Sequence, residues 1–176
     1  GNGTQSSDFI WETSAANTFG AVNANQTFAG GGDGNGAGPA ICCDKTTFIH
    51  DVQGSGAVSP LVGETVLIKG IVSASFLDIN GFFLQEEDAD ADADPSTSEG
   101  IFVSYGGDLP NVGSLVSVIG DVSEFFERTQ LTASVAPIVI STEKPAPASS
   151  SLFLPFDDAT QVESLEGMLV STAQSL

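Results

Sequence analysis

Positive charge is almost missing from this chain. Lys45, Lys69, Arg128 and Lys144 stand against 23 acidic residues, for a formal net charge of −19. Proteins that hold nucleic acid by its phosphates carry a basic patch or stripe, and four scattered cations do not make one. Cysteine is as scarce: Cys42 and Cys43 are adjacent. Neighbouring cysteines close only a strained ring, because consecutive Cα atoms lie about 3.8 Å apart and disulfides favour about 4.4–6.8 Å. Bonds to other chains, bonds to a missing part of the protein, and two free thiols are the alternatives. With one histidine and no Cys-x-x-Cys pair, the usual zinc ligand sets are not available. No apolar run approaches the roughly 18 residues of a membrane-spanning helix. A start at Gly1, without an initiator methionine, points to a processed or trimmed piece.

Hydrophobic residues make up 41 % of the chain, enough for a packed core, so the acidity belongs to a globular protein and not to a disordered one. Two causes of that acidity are compatible: cation loading, and a surface tuned for solubility in salty surroundings. Helix formers are few while Gly, Ser, Thr, Val and Phe are abundant, which favours an all-β secreted domain.

Residues 1–40 hold short apolar islands and end in a glycine-rich tether, so they read as a β-segment without a core of its own. Asn2-Gly3-Thr4 and Asn25-Gln26-Thr27 match the short glycosylation sequon. The main domain is expected over residues 41–140. A turn-rich lead-in precedes a long first strand over 65–76, interrupted by Gly70, and Asn80-Gly81 signals a hairpin into a second strand. Residues 100–105 form a third strand. A fourth runs over 114–126, broken by Gly120, and a fifth over 129–140, with Pro137 marking an edge or bend. Long first and fourth strands bent at interior glycines suit a five-stranded Greek-key barrel of the OB type. Residues 141–155 read as a Pro/Ser linker. Residues 156–176 read as a short helix and the start of a further strand whose neighbours are absent.

Between the second and third strands lies the stretch richest in chemistry. Asp88, Asp90, Asp92 and Asp94 alternate with small residues, and Ser96 and Glu99 follow. Carboxylates so spaced repel one another unless a cation sits among them, and Ca²⁺ takes about six to eight oxygen ligands in a flexible loop. Counting Asp88 as position 1 puts Asp90, Asp92, Asp94, Ser96 and Glu99 at positions 3, 5, 7, 9 and 12 of an EF-type loop. Ala93 stands where that loop needs glycine, and the flanks read as strands, so an EF-hand is not expected. A calcium loop with ligands Asp88, Asp90, Asp92, Asp94 and Glu99, at the tip of a β-hairpin, is the expectation. A solvated acidic tip is the competing reading. His50 reads as an ordinary strand-end residue, and no nucleophile and base are spaced for catalysis. Phe82, Phe83, Phe102, Tyr105, Phe125 and Phe126 are candidate stacking groups, of which alternation sends at least half to the core.

Several short motifs in order carry a resemblance: Asp51-Val52-Gln53-Gly54-Ser55-Gly56, Ser59-Pro60-Leu61-Val62-Gly63, Gly81-Phe82-Phe83-Leu84-Gln85-Glu86, Thr97-Ser98-Glu99-Gly100-Ile101-Phe102-Val103 and Thr129-Gln130-Leu131. Together they are similar to the OB-fold domain of large secreted bacterial nucleases, over about residues 42–170. The resemblance implies an extracellular domain with a metal-binding Asp-rich loop. It also implies that catalysis belongs to a downstream phosphodiesterase domain of the endonuclease/exonuclease/phosphatase type, and that residues 9–28 are the remnant of a preceding lamin-tail-like domain. The expected function is therefore a non-catalytic, calcium-binding extracellular OB-fold domain. The alternative is a structural subunit of an extracellular fibre, built from copies of the chain by β-strand addition. A carbohydrate- or surface-adhesion module is a third option.

Overall fold

The computed structural model describes residues 45–156 and 160–172. The expected β-segment and tether of residues 1–40, both sequons, Cys42 and Cys43 lie outside the described residues. Helix α1 (Ile49–Gln53) precedes strands β1 (Thr65–Phe76), β2 (Gly81–Gln85), β3 (Gly100–Ser104), β4 (Leu115–Phe125), β5 (Arg128–Ala133), β6 (Ile138–Ser141) and β7 (Ser150–Leu152). Helix α2 (Thr160–Glu163) and strand β8 (Val170–Thr172) follow. Strands run in the order β1-β2-β3-β5-β4, and a β4–β1 ladder closes the ring. Only the β3–β5 pair in that ring is parallel. The fold is all-β, a five-stranded mixed barrel of the OB type with β6 added at one edge.

Closure depends on the two long strands. Residues 65–71 of β1 pair with β4 and residues 71–76 with β2, so β1 must bend between the two ladders. Gly70 sits at that bend, where a Cβ would come within 3.0 Å of the Gln85 carbonyl oxygen. Gly120 does the same for β4, with the Thr132 carbonyl 2.9 Å from a Cβ placed there. Alternation along the strands sends Val66, Ile68, Phe82, Leu84, Ile101, Val103, Val118, Val122 and Leu131 inward. Ile49 and Val52 of α1 are fully buried in the same core.

Three expectations need correction. The lead-in contains a helix, α1, whose N-cap Phe48 offers no side-chain cap. The fifth strand is two: β5 ends at Ala133, and β6 starts after Pro137 and pairs with the first half of β4. Proline has no N–H to give to a ladder, which fits a break there. The strand near the C-terminus has a neighbour after all, because β8 pairs in parallel with β7, inside the stretch read as a linker.

The segment from α2 to β8 lies against the barrel. A Cβ on Gly100 would come within 2.5 Å of the Met168 nitrogen and 2.6 Å of the Gly167 oxygen. Ser98 Oγ donates to the Glu166 carbonyl oxygen (2.6 Å), the Leu169 N–H to Gln85 Oε1 (2.8 Å), and the Thr129 N–H to Glu166 Oε1 (3.0 Å). Burial pushes the Glu166 carboxyl up to about 7, against the pull of its Gln53 and Thr129 hydrogen bonds. The β4–β5 turn is tight: Phe126 and Glu127 both hold positive φ, 52° and 63°. Such turns favour Asn-Gly, and left-handed backbone costs other residues about 1–2 kcal/mol each.

Two outcomes follow. Gly100→Ala should cost about 1–3 kcal/mol and free the 165–172 segment for proteolysis or amide exchange while the barrel amides stay protected. Because the folded-state pKa of Glu166 lies above its ordinary 4.5, the proton is bound more tightly in the native state. The stability it confers is complete below pH 4.5 and is lost as pH rises through 7. Glu166→Gln should flatten that part of a melting-temperature profile.

Candidate metal centre

The hairpin loop of residues 86–99 begins and ends with glutamate just beyond the Gln85↔Gly100 pair. The Glu86 N–H donates to the Glu99 carbonyl oxygen at 3.0 Å, which continues the ladder by one rung and sets the two residues side by side. Only 3 % of Glu86 and 8 % of Glu99 is exposed. Each carboxylate has one oxygen fixed by backbone. Glu86 Oε1 accepts from the Ile49 N–H and from the His50 N–H (3.1 Å), supplying the cap that Phe48 cannot. Glu99 Oε1 accepts from the Asp92 N–H (3.2 Å). Both second oxygens face the same imidazole nitrogen: His50 Nδ1 is 3.1 Å from Glu86 Oε2 and 3.4 Å from Glu99 Oε2. The Phe48 ring stacks on the imidazole, with centroids 5.0 Å apart and planes within 11°.

One donor atom from each of His50, Glu86 and Glu99 lies within 4.8 Å of the other two, and among the described residues this is the one such group. A cavity of about 500 Å³ adjoins it, with Glu86, Asp88, Asp94, Glu99 and Met168 in its wall. Burial, reinforced by the adjacent Glu99 carboxylate, pushes Glu86 up to about 7, against the pull of His50. Burial alone would lower the imidazole, but Glu86, with Asp92 and Glu99 behind it, raises its pKa above the ordinary value.

The five expected ligands are distributed otherwise than an EF-type loop would have them. Glu99 belongs to the three-donor group, and Asp92 joins it through its backbone N–H. Asp88 Oδ1 accepts from the Ala148 N–H (2.8 Å), and Asp90 Oδ2 pairs with Lys69 Nζ (3.1 Å). Asp92 Oδ1 accepts from the Asp94 N–H (2.7 Å), and Asp94 Oδ1 from the Ser96 N–H (2.9 Å) and Oγ (2.7 Å). These last two bonds hold the Asp94 carboxylate below its ordinary pKa. Glu87 takes up Lys69 and Lys144, at 3.2 and 2.8 Å. Ala93 has a φ of 62°, the left-handed turn that glycine makes at the sixth position of a calcium loop.

The expected ligand set includes neither His50 nor Glu86. His50 is not a strand end but part of α1, and Glu86 stood at the head of an acidic run that hid it. No family model matches the chain, and no curated protein matches it.

A carboxylate whose folded-state pKa is raised opposes folding once it ionises. In chelator, the melting temperature should fall between pH 5 and 8, which spans the Glu86 value of about 7. Glu86→Gln keeps an oxygen for the α1 N–H groups and should fall less; an identical slope would assign the titration to another group.

Proposed function

We propose that this chain is a non-catalytic, extracellular OB-type domain, an accessory part of a secreted nuclease, that captures a divalent cation at the base of its acidic hairpin. One observation carries the proposal. The backbone-free oxygens of Glu86 and Glu99 converge with His50 Nδ1 at 3.1 and 3.4 Å. Ligands about 2.1–2.4 Å from one ion stand roughly 3.0–3.5 Å apart in octahedral or tetrahedral order, so these donors need little movement to share an ion. Their other oxygens are already held by backbone N–H groups, the outer-shell support that orients metal ligands. Water would complete an oxygen-rich set, which favours calcium; the imidazole suits manganese or zinc as well.

The fibre reading retains one supporting observation. Strand β6 has a strand neighbour only on its β4 side among the described residues, and Ile138, Val139 and Ile140 are all exposed. An apolar edge of this kind is a template for strand addition by another copy. Electron microscopy of the native material distinguishes filaments from single particles.

Saturating Ca²⁺, Mn²⁺ or Zn²⁺ should raise the melting temperature, by a free energy of about 2.7 kcal/mol at a hundredfold excess over Kd. Glu86→Gln with Glu99→Gln should abolish the rise. Asp90→Ala with Asp92→Ala tests the outer loop: loss of the effect there, with the glutamate pair dispensable, would move the ion to the tip. No rise with any of the three ions would end the proposal.

A further inference from the structure

The donors of the metal centre and the anchors of the segment that carries β7, α2 and β8 share the same short stretches of chain. Gln85, directly before Glu86, uses both ends of its amide: Nε2 donates to the Ala148 carbonyl oxygen (3.0 Å), and Oε1 accepts from the Leu169 N–H (2.8 Å). Ser98, directly before Glu99, donates to the Glu166 carbonyl oxygen (2.6 Å). Gly100, directly after Glu99, leaves room for the backbone of Gly167 and Met168. Gln53, one turn along α1 from His50, donates to the Gly100 carbonyl oxygen and reaches Glu166 Oε1 at 3.4 Å. Each of the three donors therefore has a neighbour in sequence that holds the segment. Among these anchors Thr129 of β5 alone stands apart.

Without those anchors the segment has little to hold it. Helix α2 buries no residue, and all three residues of β8 are exposed. The β7–β8 sheet has two parallel strands, a pairing that is marginal without cover. Elements with few buried apolar contacts open locally at low free energy. The cavity of about 500 Å³ beside the metal centre joins the two regions: Glu86 and Glu99 contribute to its wall together with Ser150, Ser164, Leu165 and Met168 of the segment. An ion held by the glutamates would have the docked segment as part of its enclosure.

Charge at the site acts on these anchors. With no ion, repulsion between Glu86 and Glu99 bears on the bond from the Glu86 N–H to the Glu99 carbonyl oxygen. Leu84 and Ile101 are fixed in the core, so the strain falls on Gln85, Ser98 and Gly100. An ion shared by both carboxylates turns that repulsion into attraction, and ligation of His50 steadies α1 and with it Gln53. The docked segment in turn keeps bulk water from the ion, which strengthens each carboxylate–cation attraction. We propose that cation binding and docking of the β7–α2–β8 segment are coupled: the loaded site clamps the segment to the barrel, and the segment closes over the ion. By linkage each event favours the other by the same factor. The coupling presupposes the cation reading above and adds what the ion controls.

The test is hydrogen-exchange mass spectrometry on the full chain in chelator, in saturating Ca²⁺ and in saturating Mn²⁺, beside calorimetric titration of the same ions. Amides of residues 160–172 should exchange about fivefold or more slowly with an ion bound. Glu86→Gln with Glu99→Gln should remove the difference. Leu169→Pro deletes the N–H that Gln85 accepts and leaves every ligand in place, so it should weaken ion affinity by a comparable factor. Exchange over 160–172 that ignores a calorimetrically bound ion overturns the coupling and leaves the metal centre standing. So does wild-type affinity in a Leu169→Pro chain whose 160–172 amides have lost protection. Ion-dependent protection that survives in the double glutamine variant assigns control to the outer aspartates and overturns it too. Neither binding nor a melting shift with either ion removes the metal centre and the coupling together. The wild-type comparison decides the matter even where a variant misfolds.

Discussion

Two carboxylates held side by side away from water are the constraint around which this domain is arranged. At an effective dielectric of about 20, like charges about 4 Å apart repel by roughly 4 kcal/mol. That is a large share of the roughly 5–15 kcal/mol that holds a domain folded. Ionisation of Glu86 beside Glu99 is opposed in this pocket unless something positive joins them. A proton, an imidazolium and a divalent cation are the three solutions, and His50 stands where it serves the second or ligates the third. The raised pKa of Glu86 is burial first, and this repulsion second, expressed as a proton affinity.

The barrel makes the pair hard to relax. Glu86 and Glu99 follow and precede strands whose inward residues, Leu84 and Ile101, are fully buried, so neither glutamate can swing away without disturbing the core. His50 is fixed from the other side, since Ile49 and Val52 anchor α1 in the same core. Glu86 in turn holds the first N–H groups of α1. The site and the packing therefore support each other: the carboxylate that needs a positive partner is also the cap of the helix that delivers it.

How much of this was legible in the sequence depends on range. Local signals read correctly: Gly70 and Gly120 interrupt β1 and β4 where the ladders change partners, Asn80-Gly81 ends the first turn, and the acidic run fills the β2–β3 connection. Helix α1 is not legible in sequence because its cap comes from Glu86, far along the chain, and five residues are too few to show a helical period. In sequence, β6 continues β5 because apolar residues run on past Pro137, although they pair with a different part of β4. Equal spacing made the four aspartates look equivalent, yet Lys69 and the Ala148 N–H draw two of them off. Glu99 is legible because it ends the run; Glu86 and His50 become its neighbours only once β2 and β3 pair.

The ladder between β2 and β3 ends in one additional rung, the bond from the Glu86 N–H to the Glu99 carbonyl. Beyond that rung, residues 87–98 belong to no strand. Lengthening such a loop costs only about 0.6 kcal/mol for each doubling. Insertions or deletions beyond Asp92, whose N–H holds Glu99 Oε1, would leave strand register, core and both glutamates where they are, so the outermost carboxylates can vary in number and spacing over a base that stays constant.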